Sequence, residues 1–145
     1  MKKLICTMAL CAFALSVTAA NLDWMTDFPK AQEKAKKENK WIMLDFTGSD
    51  WCSWCIKLDE EILSKPEFVE FAKKHLVMVY VDFPRKKQLP ENQVAANKAL
   101  SKKYSVKGFP TLVILNSEGK HAGEMGYMKG GPKPFIAELQ KLTGK

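Results

Sequence analysis

The order of apolar and amphipathic segments predicts an α/β fold, with a central mixed sheet and helices on both of its faces. Three observations carry that reading. WIMLDF (41–46) and LVMVYVDF (76–83) are short, nearly continuous apolar runs, as strands buried on both faces should be. Polar stretches with helical spacing precede, separate and follow them. TLVIL (111–115) is followed at once by the turn residues NSEG and a polar partner, which predicts an antiparallel hairpin.

The elements follow in order. Asp27 caps a first helix through PKAQEKAKKEN, with Pro29 in the first turn. WIMLDF is the first long strand, and GSDW is the loop that leaves it. From Cys52 the period becomes helical, with Cys55, Leu58, Ile62 and Leu63 near one face. Ser64 and Pro66 break that helix, and PEFVEFAKKH starts another. LVMVYVDF then returns to the sheet. A basic loop, PRKKQLP, leads to a helix over 91–103. After the hairpin (strands 111–115 and 120–127), KGGPK breaks the chain and PFIAELQKL closes it as an amphipathic helix. Strand–helix–strand crossovers place the early strands parallel, and the hairpin adds antiparallel ones.

The first 20 residues read as a secretory signal peptide. Lys2 and Lys3 precede an uncharged, mostly apolar run from Leu4 to Val17, and small residues follow at Thr18, Ala19 and Ala20. The run is shorter than the roughly 20 residues that span a bilayer. The expected organisation is therefore a signal peptide at 1–20 and one domain at 21–145, in a periplasmic or otherwise extracytoplasmic location. No stable membrane insertion is expected after cleavage. Of the +7 formal charge, Lys2 and Lys3 contribute two. The remaining lysines are scattered, without the arginine–aromatic pattern of a nucleic-acid binder.

Cleavage would remove Cys6 and Cys11 and leave Cys52 and Cys55 as the domain's cysteines. Export favours disulfide formation. A two-residue spacer closes too small a loop to brace a fold, which favours chemistry over stapling. The pair sits where a strand hands over to a helix. Free N–H groups at a helix start favour an anion, so Cys52 is the candidate attacking thiolate. Cys55, one turn further on the same side, is placed to resolve a mixed disulfide. On the residues alone, three other readings stay open. Half a zinc site would need His75 or His121, and nothing sets either near the pair. Copper(I) could be held by two thiolates. A purely structural pair is the third.

LDF before WCSWC, with GFPT ahead of a later strand, resembles the thioredoxin family over nearly the whole mature chain. The resemblance implies a thioredoxin-like fold and a redox-active Cys52–Cys55 disulfide, with Cys52 nucleophilic and Cys55 resolving. It implies that Pro110 follows a cis bond facing the pair, and that Gly126 lies near the groove. Trp51, Trp54, Phe109 and Pro110 become substrate-binding candidates, Phe109 offering backbone to an extended peptide. IMLDF, WC, WC, KLDEEIL and KPEF resemble exported members, DsbD-type C-terminal domains and DsbH-type periplasmic reductases. That likeness implies a protein-disulfide reductase with no bound cofactor and no metal. Its partners would be cysteine-containing exported proteins and an upstream membrane thiol donor. Oxidase, isomerase, peptide-binding and copper(I)-binding functions are the alternatives. Two departures stand out. Ser53 and Trp54 replace the family's usual Gly-Pro. FTGSDW, between Asp45 and Cys52, is one residue longer than usual. Asp45 is the candidate proton acceptor for Cys55 if a bulge near Gly48 absorbs the extra residue. Asp50 is expected to be solvated loop or a cap, Met78 to be core, and Arg85, Lys86 and Lys87 to be solvated surface or a docking site for an acidic partner.

Overall fold

The structure, a computed structural model, describes residues 21–145. The expected signal peptide at 1–20 lies outside the described residues. Five strands form one sheet: β1 (Trp24–Met25), β2 (Trp41–Thr47), β3 (Leu76–Asp82), β4 (Thr111–Leu115) and β5 (His121–Met125). Their order is β1-β3-β2-β4-β5. β1, β3 and β2 run parallel, while β4 and β5 are antiparallel to their neighbours. The helices are α1 (Phe28–Glu38), α2 (Ser53–Leu58), α3 (Pro66–His75), α4 (Glu91–Lys103) and α5 (Pro132–Thr143).

Alternation along β2 divides the core in two, because successive strand side chains point to opposite faces. Ile42, Leu44 and Phe46 pack with Val77, Val79, Val81 and Val113 under α1 and α4. Met43 packs with Met78, Leu112 and Ile114 under α2, α3 and α5, where Phe68 meets Phe135 edge to face. The near-absence of polar residues in β2 and β3 reflects this burial on both faces.

Local chemistry sets the ends of α1. The Asp27 carboxylate accepts from the Lys30 N–H at 3.1 Å. Asn39 closes the helix in the left-handed region at φ 51°, a conformation that asparagine tolerates better than most residues. Three features differ from the sequence expectation. β1 is too short for any periodicity to reveal it. α5 begins at Pro132, two residues early, after Gly131 at φ 77°. The helix from Cys52 widens at its end into a π-helical turn, Asp59–Leu63. Among the described residues no helix is long and apolar enough to cross a membrane.

Candidate active site

β2 delivers the chain to the site. Its register against β3 is continuous from Trp41 to Thr47, so no bulge interrupts the strand. The extra residue of FTGSDW sits beyond it, in the turn where the Trp51 and Cys52 N–H groups both donate to Gly48 O. This corrects the expected bulge near Gly48, and the reason is physical. A regular strand keeps every ladder hydrogen bond, while a turn takes an added residue without breaking one. Gly48 is needed for close approach: a Cβ there would come 2.6 Å from Trp51 Nε1.

Cys52 caps α2 in an extended conformation, and its Sγ accepts from the Cys55 N–H at 3.2 Å. The two cysteines are joined in a disulfide, and both are buried. Asp45 alternates onto the same face of β2 as Met43, towards α2. It lines a cleft of about 350 Å³ together with Cys55, Asp59, Glu60, Tyr80 and Trp24. Its side chain is buried, and Oδ1 has no hydrogen-bond partner. Burial first, then the charges of Asp59 and Asp82, push its pKa up to about 7. Burial and Glu60 likewise raise the pKa of Asp59. Burial, with Asp82 beside it, pushes Tyr80 up to about 12.

Two walls flank the pair. On one side the Trp51 indole N–H donates to Phe83 O at 2.8 Å, and its ring meets Phe109 edge to face. Phe109 stacks on Phe83, and the Phe109–Pro110 bond is cis. Gly126 lies against the Pro110 carbonyl, with room for a Cβ only at contact distance. On the other side Trp54, half exposed, tilts over Tyr127 at 5.2 Å. The Tyr127 hydroxyl donates to Glu61 Oε2 at 2.6 Å, and Lys57 Nζ lies over both rings. Trp54 and Ile56 are the exposed large apolar residues among those described, and both adjoin Cys55.

Several site contributions escaped the sequence reading. Asp59 falls four residues after Cys55 and seven after Cys52, so helical spacing alone placed it on their face. Asp50 lies in the surface loop as expected, but its carboxylate also accepts from the Arg85, Lys86 and Lys87 N–H groups at 2.9, 2.8 and 3.0 Å. Asp82, buried, accepts from Ser49 N and Oγ and pairs with Lys87 at 2.8 Å. Met78 is core. His75 ends α3 and His121 starts β5, and neither lines the cleft. Among the described residues no group of three or more His, Cys, Asp or Glu side chains is placed to hold a metal ion.

Residues 28–143 match the family model of a thioredoxin-like domain. The chain is 45% identical over 124 residues to the disulfide bond reductase DsbH of Chlamydia pneumoniae, across 86% of this chain and 74% of that protein. A solved structure described as DsbH oxidoreductase superposes with a TM-score of 0.84 at 40% identity, covering 95% of each chain. The reduced C-terminal domain of Neisseria meningitidis DsbD superposes with a TM-score of 0.57 at 26% identity, over 79% of this chain and 92% of that one.

Proposed function

This chain belongs to the thioredoxin-like domain family, related to DsbH and the DsbD-type oxidoreductases, and from that premise we propose that it reduces disulfides of exported proteins. Its Cys52–Cys55 disulfide in this fold supports thiol–disulfide oxidoreductase activity. The reducing direction rests on one observation, the 45% identity to a protein named as a disulfide bond reductase.

In the reduced state the Cys52 thiolate attacks one sulfur of a partner disulfide. An S–S bond forms to Cys52, the partner's S–S bond breaks, and one partner thiolate leaves. Cys55 then loses its proton and attacks Cys52 Sγ. The second partner thiolate departs, and the Cys52–Cys55 disulfide remains. Two electrons pass to the partner, whose thiolates take up two protons. An upstream dithiol donor at the membrane, oxidised in turn, restores the reduced pair.

The residues take separate roles. The Cys55 N–H, directed at Cys52 Sγ, supports the Cys52 thiolate. Asp45 receives the Cys55 proton. Its unpartnered oxygen, its place on the Cys55 cleft and its pKa of about 7 support that assignment. Phe109 and Pro110 hold the partner's backbone, Trp51 buttresses the loop, and Trp54 contacts the partner. The domain acts outside the cytoplasm after cleavage of residues 1–20, with cysteine-containing exported proteins as substrates. Kinship to DsbH and DsbD-type proteins supports that location.

Equilibration of residues 21–145 against dithiothreitol and glutathione, with thiol trapping, tests the direction. A midpoint near that of thioredoxin, about −270 mV, supports a reductase, and one near −120 mV, the range of strong oxidants, overturns it.

A further inference from the structure

We propose that Arg85 and Lys86 form a docking contact for a carboxylate that the redox partner carries close to its reactive cysteine. This deepens the oxidoreductase reading above and rests on it. The segment is not a free loop. Asp50 holds three consecutive N–H groups, of Arg85, Lys86 and Lys87. Trp51 holds the carbonyl of Phe83. Asp82 anchors Lys87 through its ammonium group. The backbone of 83–87 is thus fixed to the turn that carries Cys52.

The side chains are then presented rather than consumed. The Arg85 guanidinium lies 3.7 Å from the Trp51 ring centroid, so its face is occupied. The N–H edge of a stacked guanidinium remains available for a two-point grip on a carboxylate. Among the described residues, neither Arg85 nor Lys86 takes part in a side-chain ion pair, although eight lysine–carboxylate pairs occur. On the opposite wall the equivalent cation, Lys57, is already paired with Glu61 at 3.7 Å. Arg85 therefore stands as an unpaired cation on the Trp51 wall, with exposed Lys86 next to it in the chain.

Their position also fixes the reach. Trp51 precedes Cys52 in the chain and touches Phe109, the residue before the cis proline. A partner segment lying along that edge, at ~3.3 Å per residue, brings a side chain within about three residues of its cysteine to Arg85. The occupant is accordingly an extended protein segment with Asp or Glu beside its cysteine. Because the loop is already ordered, binding carries little further ordering cost. Rim charges of this kind act chiefly on encounter rate and choice of partner.

The experiment uses disulfide peptides identical except for Glu or Lys two residues from the cysteine, reduced by residues 21–145 at low and high salt. An uncharged small disulfide serves as the control. The Glu peptide is expected to react about fivefold faster than the Lys peptide, with the preference shrinking as salt rises. The double variant R85E/K86E is expected to invert that ratio. Reading the ratio within each variant cancels any general change of rate transmitted through Trp51. Equal rates for the two peptides, or a ratio unmoved by R85E/K86E, would overturn the docking contact while leaving the oxidoreductase reading intact. No reduction of the uncharged disulfide would sink that reading, and this proposal with it.

Discussion

On the Cys52 side of the reactive pair, the turn from Gly48 to Trp51 is tied to residues 82–87 by six hydrogen bonds, and an ion pair between Asp82 and Lys87 braces that second segment. On the Cys55 side, Asp45 faces a cleft with an unpartnered oxygen, and Asp59 adds a second carboxylate. The first region satisfies its polar groups, and the second leaves one unsatisfied in the cleft that Cys55 lines. The contrast matches the demands of two steps. Attack on a partner needs a nucleophile held in place, whereas release needs a base able to take a proton near neutrality.

The comparison breaks most sharply at the sulfurs. Cys52→Ser is expected to abolish exchange, and Cys55→Ser to accumulate a mixed disulfide with its partner. Alkylation and peptide mapping distinguish them. Faster alkylation of Cys55 than Cys52 in the reduced protein would reverse the roles.

Asp45→Asn comes next. Release of the mixed disulfide should slow by about 10- to 100-fold, with Cys52 alkylation nearly unchanged, as stopped-flow reduction of a model disulfide across pH would read. The same residue gives stability a definite slope. Its folded pKa of about 7 lies above its unfolded value, so the folded state binds the extra proton between about pH 4 and 7. Stability of the disulfide form should therefore fall as pH rises through that window and level off above it. The total is on the order of 4 kcal/mol at most. The difference in stability between wild type and Asp45→Asn, read from urea melts across pH, should carry this slope, because Asp59 and the other shifted carboxylates contribute equally to both.

On the tethered side, Asp82→Ala would strand the Ser49 N–H and hydroxyl and release Lys87. A loss of roughly 2–3 kcal/mol in urea unfolding is expected. A change below about 0.5 kcal/mol would mean that the turn is not held as described. The smallest effect belongs to Trp54→Ala. Being half exposed, it should leave stability within about 0.5 kcal/mol. It should lower kcat/KM for a protein disulfide about fivefold, and much less for a small one. Equal losses for both substrates would remove Trp54 from partner contact.

What the sequence revealed and hid follows the same division. The fold was legible because β2 and β3 are buried on both faces and so read as apolar runs, with helices marked by Asp27, Pro29 and Pro66. The dithiol was legible because a strand-to-helix junction and a two-residue spacer are local facts. The tethered side was not. Asp50 and Asp82 act on groups 33–37 residues away, and no pattern in the chain signals an aspartate aimed at remote backbone. The π-helical turn left no mark because DEEIL suits an ordinary helix equally well. Asp45 lay between these cases. Its burial was legible from its place inside a strand apolar on both faces, whereas its position relative to Cys52 depended on where the extra residue went.

The two-residue strand β1 has a kinetic consequence. It is joined to the sheet only through Trp24 and Met25, opposite Met78 and Val79. So short an edge belongs among the segments that open without global unfolding. Trp24 packs against Tyr80 at 5.3 Å and forms part of the wall around Asp45. Each opening of that edge therefore widens the access of water to a carboxylate that is otherwise almost fully buried at the bottom of its cleft. The rate at which the backbone of this edge trades hydrogen for deuterium becomes a clock for how often the wall beside Asp45 opens.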